Sequence, residues 1–237
     1  MTLIMTMNIG SSLTVMTSDE RIAYTIDEHL IPTEEKVNKA HVLNNNVLFG
    51  WGGDYDLAME AIKELKNVVT STDTLETCIE HLKKITDRTE TTRRSLLLLS
   101  GFYANGTTGM AMKRTGEAIS ELKVNEHEYR YIMFPPTGDY SDRQDEFFYV
   151  EDFTPNNIAE NIRELGIEHW KMKSINTAVN HLVKLHGVIS HKEPKAVTAE
   201  GHYNIIYKDE EGTMKVATGE FDTSEIHAML DEQEKHS

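Results

Sequence analysis

The order in which strands and helices are predicted constrains this fold more strongly than any single motif. Hydrophobic periodicity predicts strands, two helices, strands, two further helices and a last pair of strands. Each helix pair can cover one face of a sheet, which leaves the two sheets to pack on each other. We therefore expect an α/β (α+β) domain of four layers, helices–sheet–sheet–helices, with mainly antiparallel sheets.

The strands are predicted from short apolar or alternating runs that end at turn residues such as Gly10-Ser11-Ser12 and Asn44-Asn45-Asn46. The predicted strands are 2–8, 13–17, 21–26, 40–43, 47–51, 95–104, 110–115, 129–134, 202–208 and 213–218. The run at 95–104 is continuously apolar, which is typical of a strand covered on both faces. Residues 27–36 are acidic and contain Pro32, so we predict a loop there.

The helices are predicted from apolar stripes and from capping residues. Asp54 is the expected N-cap of the first helix, and Asp73 that of the second, with Glu76 at capping-box spacing. Thr154-Pro155 indicates the start of a third helix. The predicted helices are 54–65, 74–88, 154–165 and 174–187, followed by a short acidic helix or tail at about 222–237.

Length and charge narrow the class of protein. The 237 residues, 39% of them hydrophobic, suit one large core, so we expect a single domain over residues 1–237. A net charge of -15, with lysines and arginines scattered along the chain, opposes nucleic-acid binding. No run approaches the roughly 18 consecutive apolar residues of a membrane span, so no membrane association is expected.

The cysteine content and the N-terminus indicate a cytoplasmic protein. Cys78 is the single cysteine, which excludes an intrachain disulfide and suits a reducing compartment. Cys78 lies beside the apolar stripe of the second helix, so we predict a buried small hydrophobe rather than a reactive thiol. The N-terminus has no basic residue before Arg21, unlike a secretory signal, so we interpret it as mature structure.

The histidines do not form a metal-binding pattern. The chain has eleven, and His181, His186 and His191 lie five residues apart, which does not stack them on one helical face. No HExxH motif or Cys/His cluster occurs. We therefore predict solvated or capping histidines and no metal site.

Four short segments near the N-terminus occur in the order found in one known family. They are Thr2-Leu3-Ile4, Ser18-Asp19-Glu20-Arg21, Lys39-Ala40-His41-Val42-Leu43 and Val47-Leu48-Phe49-Gly50-Trp51-Gly52-Gly53. In these segments the chain resembles the proteasome β-subunit and HslV family of N-terminal-nucleophile (Ntn) hydrolases. The later elements agree with that family mainly in their order.

The resemblance implies a four-layer αββα sandwich and a threonine-type peptidase or amidase. On the positions that match, it implies Thr2 as the nucleophile with Asp19 and Lys39 as its catalytic partners. Gly52 and Gly53 would form the oxyanion and substrate-binding segment. No metal or organic cofactor is needed for this chemistry.

Two supporting positions follow from the same resemblance. Arg21 stands where the family has the arginine of its Asp-x-Arg segment. Pro136-Thr137-Gly138 occupies the place of the family's Gly-Ser-Gly loop, whose serine supports the nucleophile, and Ser141 is a distant substitute for that serine. The family's late Asp-x-x-Ser is replaced by His191-Lys192-Glu193-Pro194, and the stretch from Thr2 to Asp19 is one residue longer than usual.

The chemistry of these residue types can be argued without the family. A threonine hydroxyl needs a base, and the α-amine of a first-residue threonine, with a reference pKa of about 7.7–8.0, can accept its proton. A lysine ammonium such as Lys39 favours the alkoxide, and Asp19 holds that lysine charged. Glycine N–H groups at Gly52 or Gly53 can donate to the oxyanion. The mechanism requires removal of Met1, because a retained Met1 would acylate the proposed base.

The resemblance also implies partners, and two other functions remain open. An active enzyme would cleave peptides or unfolded proteins as a ring-like homo-oligomer, with an ATPase as its partner. The chain is alternatively a catalytically inactive scaffold or interaction protein, like proteasome α-type subunits. A weaker alternative is an amidohydrolase for a small molecule that uses the same first residue.

Overall fold

The computed structural model describes residues 3–26, 29–87, 95–126, 129–134, 170–192 and 194–236 of the chain. These residues form a mixed α+β structure with antiparallel sheets and four helices. The strands are β1 (Ile4–Ile9), β2 (Leu13–Asp19), β3 (Arg21–Ile26), β4 (His29–Lys36), β5 (Ala40–Val42), β6 (Val47–Gly53), β7 (Ser95–Phe102), β8 (Thr108–Arg114), β9 (Ser120–Val124), β10 (Tyr129–Phe134), β11 (Glu200–Lys208) and β12 (Met214–Asp222). The helices are α1 (Tyr55–Val68), α2 (Leu75–Thr86), α3 (Trp170–Lys192) and α4 (Ser224–His236).

Ten of these strands form two five-stranded antiparallel sheets. Sheet I has the strand order β10-β1-β2-β11-β12, and sheet II has the order β5-β6-β7-β8-β9. Strands β3 and β4 form a separate two-stranded hairpin between β2 and β5 in the chain. The central position of β2 in sheet I places its last residue, Asp19, opposite Gly201 of β11.

The buried apolar side chains form three clusters. One joins α1 and α2 to sheet II, and its largest members include Phe49, Trp51, Leu65, Leu82 and Leu99. A second joins α3 to sheet I and includes Met5, Met7, Leu13, Val15 and Leu182. The third draws on both sheets and includes Ile4, Met16, Leu48, Leu98 and Met110. The alternation of Leu97 and Leu99 with Leu98 confirms that the apolar run of β7 is covered on both faces.

The predicted caps of the first two helices have different outcomes. Asp54 is the N-cap of α1, and its carboxylate accepts from the backbone N–H groups of Asp56 at 3.0 Å and Leu57 at 3.3 Å. The prediction for Asp73 was wrong, since the N-cap of α2 is Thr74. The Asp73 carboxylate instead accepts from Thr70 N at 2.8 Å, which closes the turn before the helix. Cys78 is buried, as predicted, and burial raises the pKa of its thiol to about 12.

The prediction of a loop over residues 27–36 was also wrong, because β4 occupies His29–Lys36. Pro32 is tolerated since β4 pairs with β3 alone among the described strands and the β3–β4 register shifts between Arg21 and Ala23. Thr33 Oγ1 donates to Ile22 O at 2.9 Å across this irregular stretch. Strand β9 was missed, since Ser120–Val124 carries mostly exposed polar residues.

The remaining predicted elements fall near their expected places or outside the described residues. Strands β1, β2, β3, β5, β6, β7, β8, β10, β11 and β12 lie at the predicted positions within a few residues. Helix α3 extends further in both directions than the predicted 174–187. The predicted helix at 154–165 lies outside the described residues. In the part of the chain that the structure describes, no helix is long and apolar enough to span a membrane.

Candidate functional site

The centre of the candidate site is a buried ion pair between Lys39 and Asp19. Lys39 Nζ lies 2.9 Å from Asp19 Oδ1 and 3.0 Å from Oδ2, and it also donates to Arg21 O at 2.5 Å. The exposed fraction is 1% for the Lys39 side chain and 0% for that of Asp19. Two residues that the sequence places 20 positions apart are thus brought together without access to bulk water.

Backbone groups at the end of β2 orient the Asp19 carboxylate. Leu3 N donates to Asp19 Oδ1 at 2.8 Å, and Arg21 N donates to Oδ2 at 3.0 Å. The backbone is closed here as well, because Asp19 N donates to Leu3 O at 3.1 Å. Each carboxylate oxygen therefore accepts from one backbone N–H and from the Lys39 ammonium, which satisfies a buried charge.

Arg21 supports the pair through its backbone, and its side chain points elsewhere. Its N–H and its carbonyl oxygen bind Asp19 and Lys39, as described above. Its guanidinium Nη1 donates to Pro194 O at 2.5 Å. Arg21 therefore connects β3 to the segment that follows α3, and a neutral side chain at this position could keep the Lys39 contact.

Burial is the largest influence on the protonation of Lys39 and lowers the pKa of its ammonium below the usual 10.5. The Asp19 carboxylate raises this pKa through its charge and its hydrogen bonds, whereas the positive charge of Arg21 lowers it further. Lys39 therefore loses its proton more easily than a lysine in water does. A lysine in such surroundings can exchange a proton with a neighbouring group more readily than a surface lysine.

The two glycines at the end of β6 lie where β5 no longer accompanies that strand. The β5–β6 ladder runs from Val42↔Leu48 to Ala40↔Gly50, and Trp51 N then donates to Lys39 O at 3.0 Å. Beyond this bond, β7 is the one described strand with which Gly52 and Gly53 pair. Gly53 is exposed and has φ of 86°, a conformation that favours glycine.

Two of the predicted site residues, Thr2 and Ser141, lie outside the described residues. Leu3, which follows Thr2 in the chain, is buried and bonded to Asp19. The structure therefore brings Asp19, Lys39 and the backbone of Arg21 together. Gly52 and Gly53 follow Trp51, whose N–H donates to Lys39 O.

A charged network lies next to the ion pair and was not predicted. Glu20 Oε1 lies 2.6 Å from His202 Nε2, and Glu20 Oε2 lies 3.3 Å from Lys36 Nζ. Lys36 also bonds Glu200 at 3.3 Å. The network ties β4 and β11 to the residue that follows Asp19. Only the Ser18–Arg21 segment signalled this place in the sequence, because Glu200 and His202 are about 180 residues away.

A polar cavity of about 320 Å³ adjoins this network between β5, the end of α1, β11 and β12. Its lining includes His41, Lys66, His202 and Glu220. Burial lowers the pKa of His41 to about 4, and the Lys66 charge adds to this effect. His41 is therefore neutral at pH 7.

His41 makes the stability of the fold sensitive to acid. Its folded pKa of about 4 lies below the ordinary 6.5, so the unfolded chain binds the proton first and stability is lost as pH falls from 6.5 to 4. We expect this group to remove roughly 2–3 kcal/mol of unfolding free energy between pH 7 and pH 4.5. Urea unfolding of wild type and His41→Leu at both pH values measures it. Equal pH dependence of the two proteins would contradict this expectation.

His186 of α3 was wrongly predicted as a solvated or capping histidine. Its side chain is fully buried, and Nε2 donates to Thr198 O at 2.8 Å. The sequence carried one usable signal, since His186 follows the inward positions Leu182 and Leu185 of the helix. Among the described residues, no group of three or more His, Cys, Asp or Glu side chains could hold a metal ion.

Comparison with known proteins identifies no family for this chain. Neither the models of known protein families nor the curated proteins searched include a match to this chain.

Proposed function

We propose that this chain is a proteasome-like Ntn hydrolase, a threonine peptidase or amidase whose nucleophile is Thr2 after removal of Met1. The observation that carries the proposal is the fully buried Lys39–Asp19 pair, held at the chain segment that leads directly to Thr2. The Leu3 N–H that donates to Asp19 belongs to the peptide bond joining Leu3 to Thr2. The pair thus lies one residue from the proposed nucleophile.

The three apolar clusters support a four-layer αββα arrangement of the Ntn type. In that arrangement, α1 and α2 cover sheet II, α3 covers sheet I, and the third cluster fills the space between the sheets. A hydrophobic core on both faces of each sheet is what a sandwich with outer helices requires. The proposed site lies at one end of β2, where residues from both sheets meet.

The proposed reaction uses only this chain's own groups and water. Thr2 Oγ attacks the carbonyl carbon of an amide while the Thr2 α-amine takes the hydroxyl proton. The departing amine receives that proton as the C–N bond breaks, which leaves an ester on Thr2. Water, deprotonated by the same α-amine, then attacks the ester carbonyl. The amine returns this proton to the Thr2 oxygen as the C–O bond breaks and the acid product leaves. Lys39 stabilises the developing alkoxide, and Asp19 keeps the ammonium in place.

The strand pairing supports Gly53 over Gly52 as the oxyanion donor. The N–H groups of successive strand residues point to opposite sides. Since Trp51 N donates to Lys39 O, the Gly53 N–H is directed to that same side, where none of the described strands accompanies β6 at Gly53. The Gly52 N–H is directed towards β7 instead.

Intact-mass spectrometry of the purified native protein tests the requirement on which the proposal depends. We expect the mass of the chain without Met1, because threonine is small enough for removal of the preceding methionine. Edman sequencing that begins Thr-Leu-Ile would confirm a free α-amine. Quantitative retention of Met1 on native material would overturn the mechanism, although the fold would be unaffected.

The inactive scaffold is the second candidate, and the hydrogen bonding of the buried pair favours it. Asp19 Oδ1, Asp19 Oδ2 and Arg21 O all accept from the Lys39 ammonium. The same arrangement suits a purely structural lysine. A protein with a free Thr2 amine that neither hydrolyses amides nor reacts with an electrophile directed at N-terminal threonine would support the scaffold.

The substrate and partner proposals follow from the same function. Peptides or unfolded chains would be the substrates. The assembly would be a ring-like homo-oligomer, and a partner ATPase would supply it with unfolded chains. Size-exclusion chromatography with light scattering distinguishes a ring from a monomer. A monomer with peptidase activity would contradict both the ring assembly and the need for an ATPase.

A further inference from the structure

Helix α3 contacts the wall of the candidate site through one buried histidine. The exposed fraction of His186 is 0%, and its Nε2 lies 2.8 Å from Thr198 O. Because a carbonyl oxygen only accepts hydrogen bonds, Nε2 carries the proton. Nδ1 is then a bare acceptor, and it has no hydrogen-bond partner among the described residues. The ring also packs edge-on against Phe221, with centroids 4.8 Å apart.

The residue that His186 binds is part of the segment that contacts Asp19–Arg21. Thr198 Oγ1 accepts from Glu20 N at 3.4 Å and donates to Glu200 O at 2.8 Å. The same segment binds Arg21 through Pro194 O. Thr198 therefore links His186 to Glu20, the residue between Asp19 and Arg21. Its carbonyl accepts from His186 and its hydroxyl accepts from the Glu20 N–H, and these two bonds form a line of hydrogen bonds through Thr198.

Titratable groups of the site and of α4 influence the pKa of His186. Asp19 and Lys39 both act on its protonation, as does His227 of α4. Burial is the largest influence and lowers the pKa of His186, so the ring is neutral near pH 7. A neutral ring with one fixed donor can hold Thr198 without adding a charge beside Lys39.

We propose that His186 is a positioning residue of the candidate site, which fixes the Asp19–Arg21 segment around Lys39 by holding Thr198. The inference rests on the proposed role of Lys39 as a catalytic partner of Thr2. Without the bond to Thr198 O, Thr198 and Glu20 gain freedom to move and water can reach the ion pair. Hydration relieves the burial of Lys39, so its pKa rises towards the ordinary value.

The test compares two substitutions that separate the hydrogen bond from the packing. His186→Leu keeps most of the volume and removes the donor, whereas His186→Gln keeps an N–H donor without a titratable group. The readout is an NMR titration of lysines labelled at Cε, with the Lys39 signal assigned by its loss in Lys39→Met. His191→Leu, on the same helix, is the matched control, because His191 bonds Asp231 rather than the 194–200 segment.

We expect His186→Leu to raise the proton-binding constant of Lys39 by about tenfold or more. His186→Gln and His191→Leu should remain within about twofold of wild type. Folded His186→Leu protein with a wild-type Lys39 titration would overturn the proposal, as would equal shifts in the Leu and Gln variants.

A second variant keeps the test decisive if His186→Leu does not fold. Thr198→Val retains the carbonyl that His186 binds and removes the hydroxyl that accepts from Glu20 N. It should shift the Lys39 titration in the same direction, and an unchanged titration would contradict the proposed line of hydrogen bonds. The titration needs no turnover, so an inactive protein leaves this test intact while it defeats the proposed function.

Discussion

We expect Thr2→Ala to lower kcat/KM for a peptide with a fluorogenic amide leaving group by at least about a thousandfold. The substitution removes the attacking oxygen but keeps the α-amine, Lys39 and Asp19. No other hydroxyl is proposed to reach the substrate, so acyl-enzyme formation should stop. Steady-state and burst-phase kinetics of the purified variant measure this loss.

Two control variants test whether the loss in Thr2→Ala is caused by the missing hydroxyl. Thr2→Ser keeps both the hydroxyl and a first-residue amine, so it should retain measurable turnover. Thr72→Ala removes an exposed threonine in the turn before α2 and should match wild type. Wild-type turnover in Thr2→Ala would show that another residue carries the activity.

Asp19→Ala is expected to have the largest effect on the fold itself. Removing one partner of a buried ion pair leaves the other charge buried and unpaired, which typically costs about 3–5 kcal/mol. Here Lys39 would keep only the Arg21 carbonyl among the three acceptors described for it. Urea unfolding at pH 7 measures the loss, and any residual amidase activity should disappear with it.

The pH dependence of the Asp19→Ala defect identifies its cause. The folded-state pKa of Lys39 lies below the unfolded 10.5, so the unfolded chain binds more protons between these values. Asp19→Ala removes the charge that raises this pKa, so Lys39 of the variant lies further below 10.5 than in wild type. The variant therefore gains more stability than wild type as pH increases from 7 to 10, and the defect should shrink. A defect that grows with pH would exclude an unpaired ammonium as its cause.

Two further variants separate the buried charge from general packing. The double variant Asp19→Leu/Lys39→Met replaces the pair by apolar groups and should recover part of the stability lost in Asp19→Ala. Lys83→Met breaks the exposed Lys83–Glu80 pair on α2 and should leave stability nearly unchanged. A double variant as unstable as Asp19→Ala would indicate that the site cannot be repacked without charge.

Local signals predicted most elements of the fold because their causes lie within a few residues. The Asp54 cap and the apolar run of β7 are examples, since each depends on neighbours in the chain. Strand β4 was missed because Pro32 indicates a break, whereas an irregular hairpin tolerates it. Asp73 was misassigned because its carboxylate has two possible backbone targets, and the turn donor at Thr70 is the one it binds.

The site was predictable to the extent that it depends on the N-terminal segments. Asp19 and Lys39 were predicted as partners from motif order, and the structure brings them together. The roles of Thr198 and His186 could not be predicted, because they arise only when the segment after α3 folds back against β2. The position of His186 on the helix was a signal for burial, but its contact with Phe221, 35 residues further along the chain, could not be predicted.

Mapping the site of a covalent adduct tests the central claim most directly. The native protein is treated with an electrophile directed at N-terminal threonine, digested, and analysed by tandem mass spectrometry. We predict a single adduct on the peptide that begins at Thr2, with the modification on Thr2 itself and no adduct in Thr2→Ala. An unmodified N-terminal peptide that still carries Met1, or an adduct on another residue, would contradict the account.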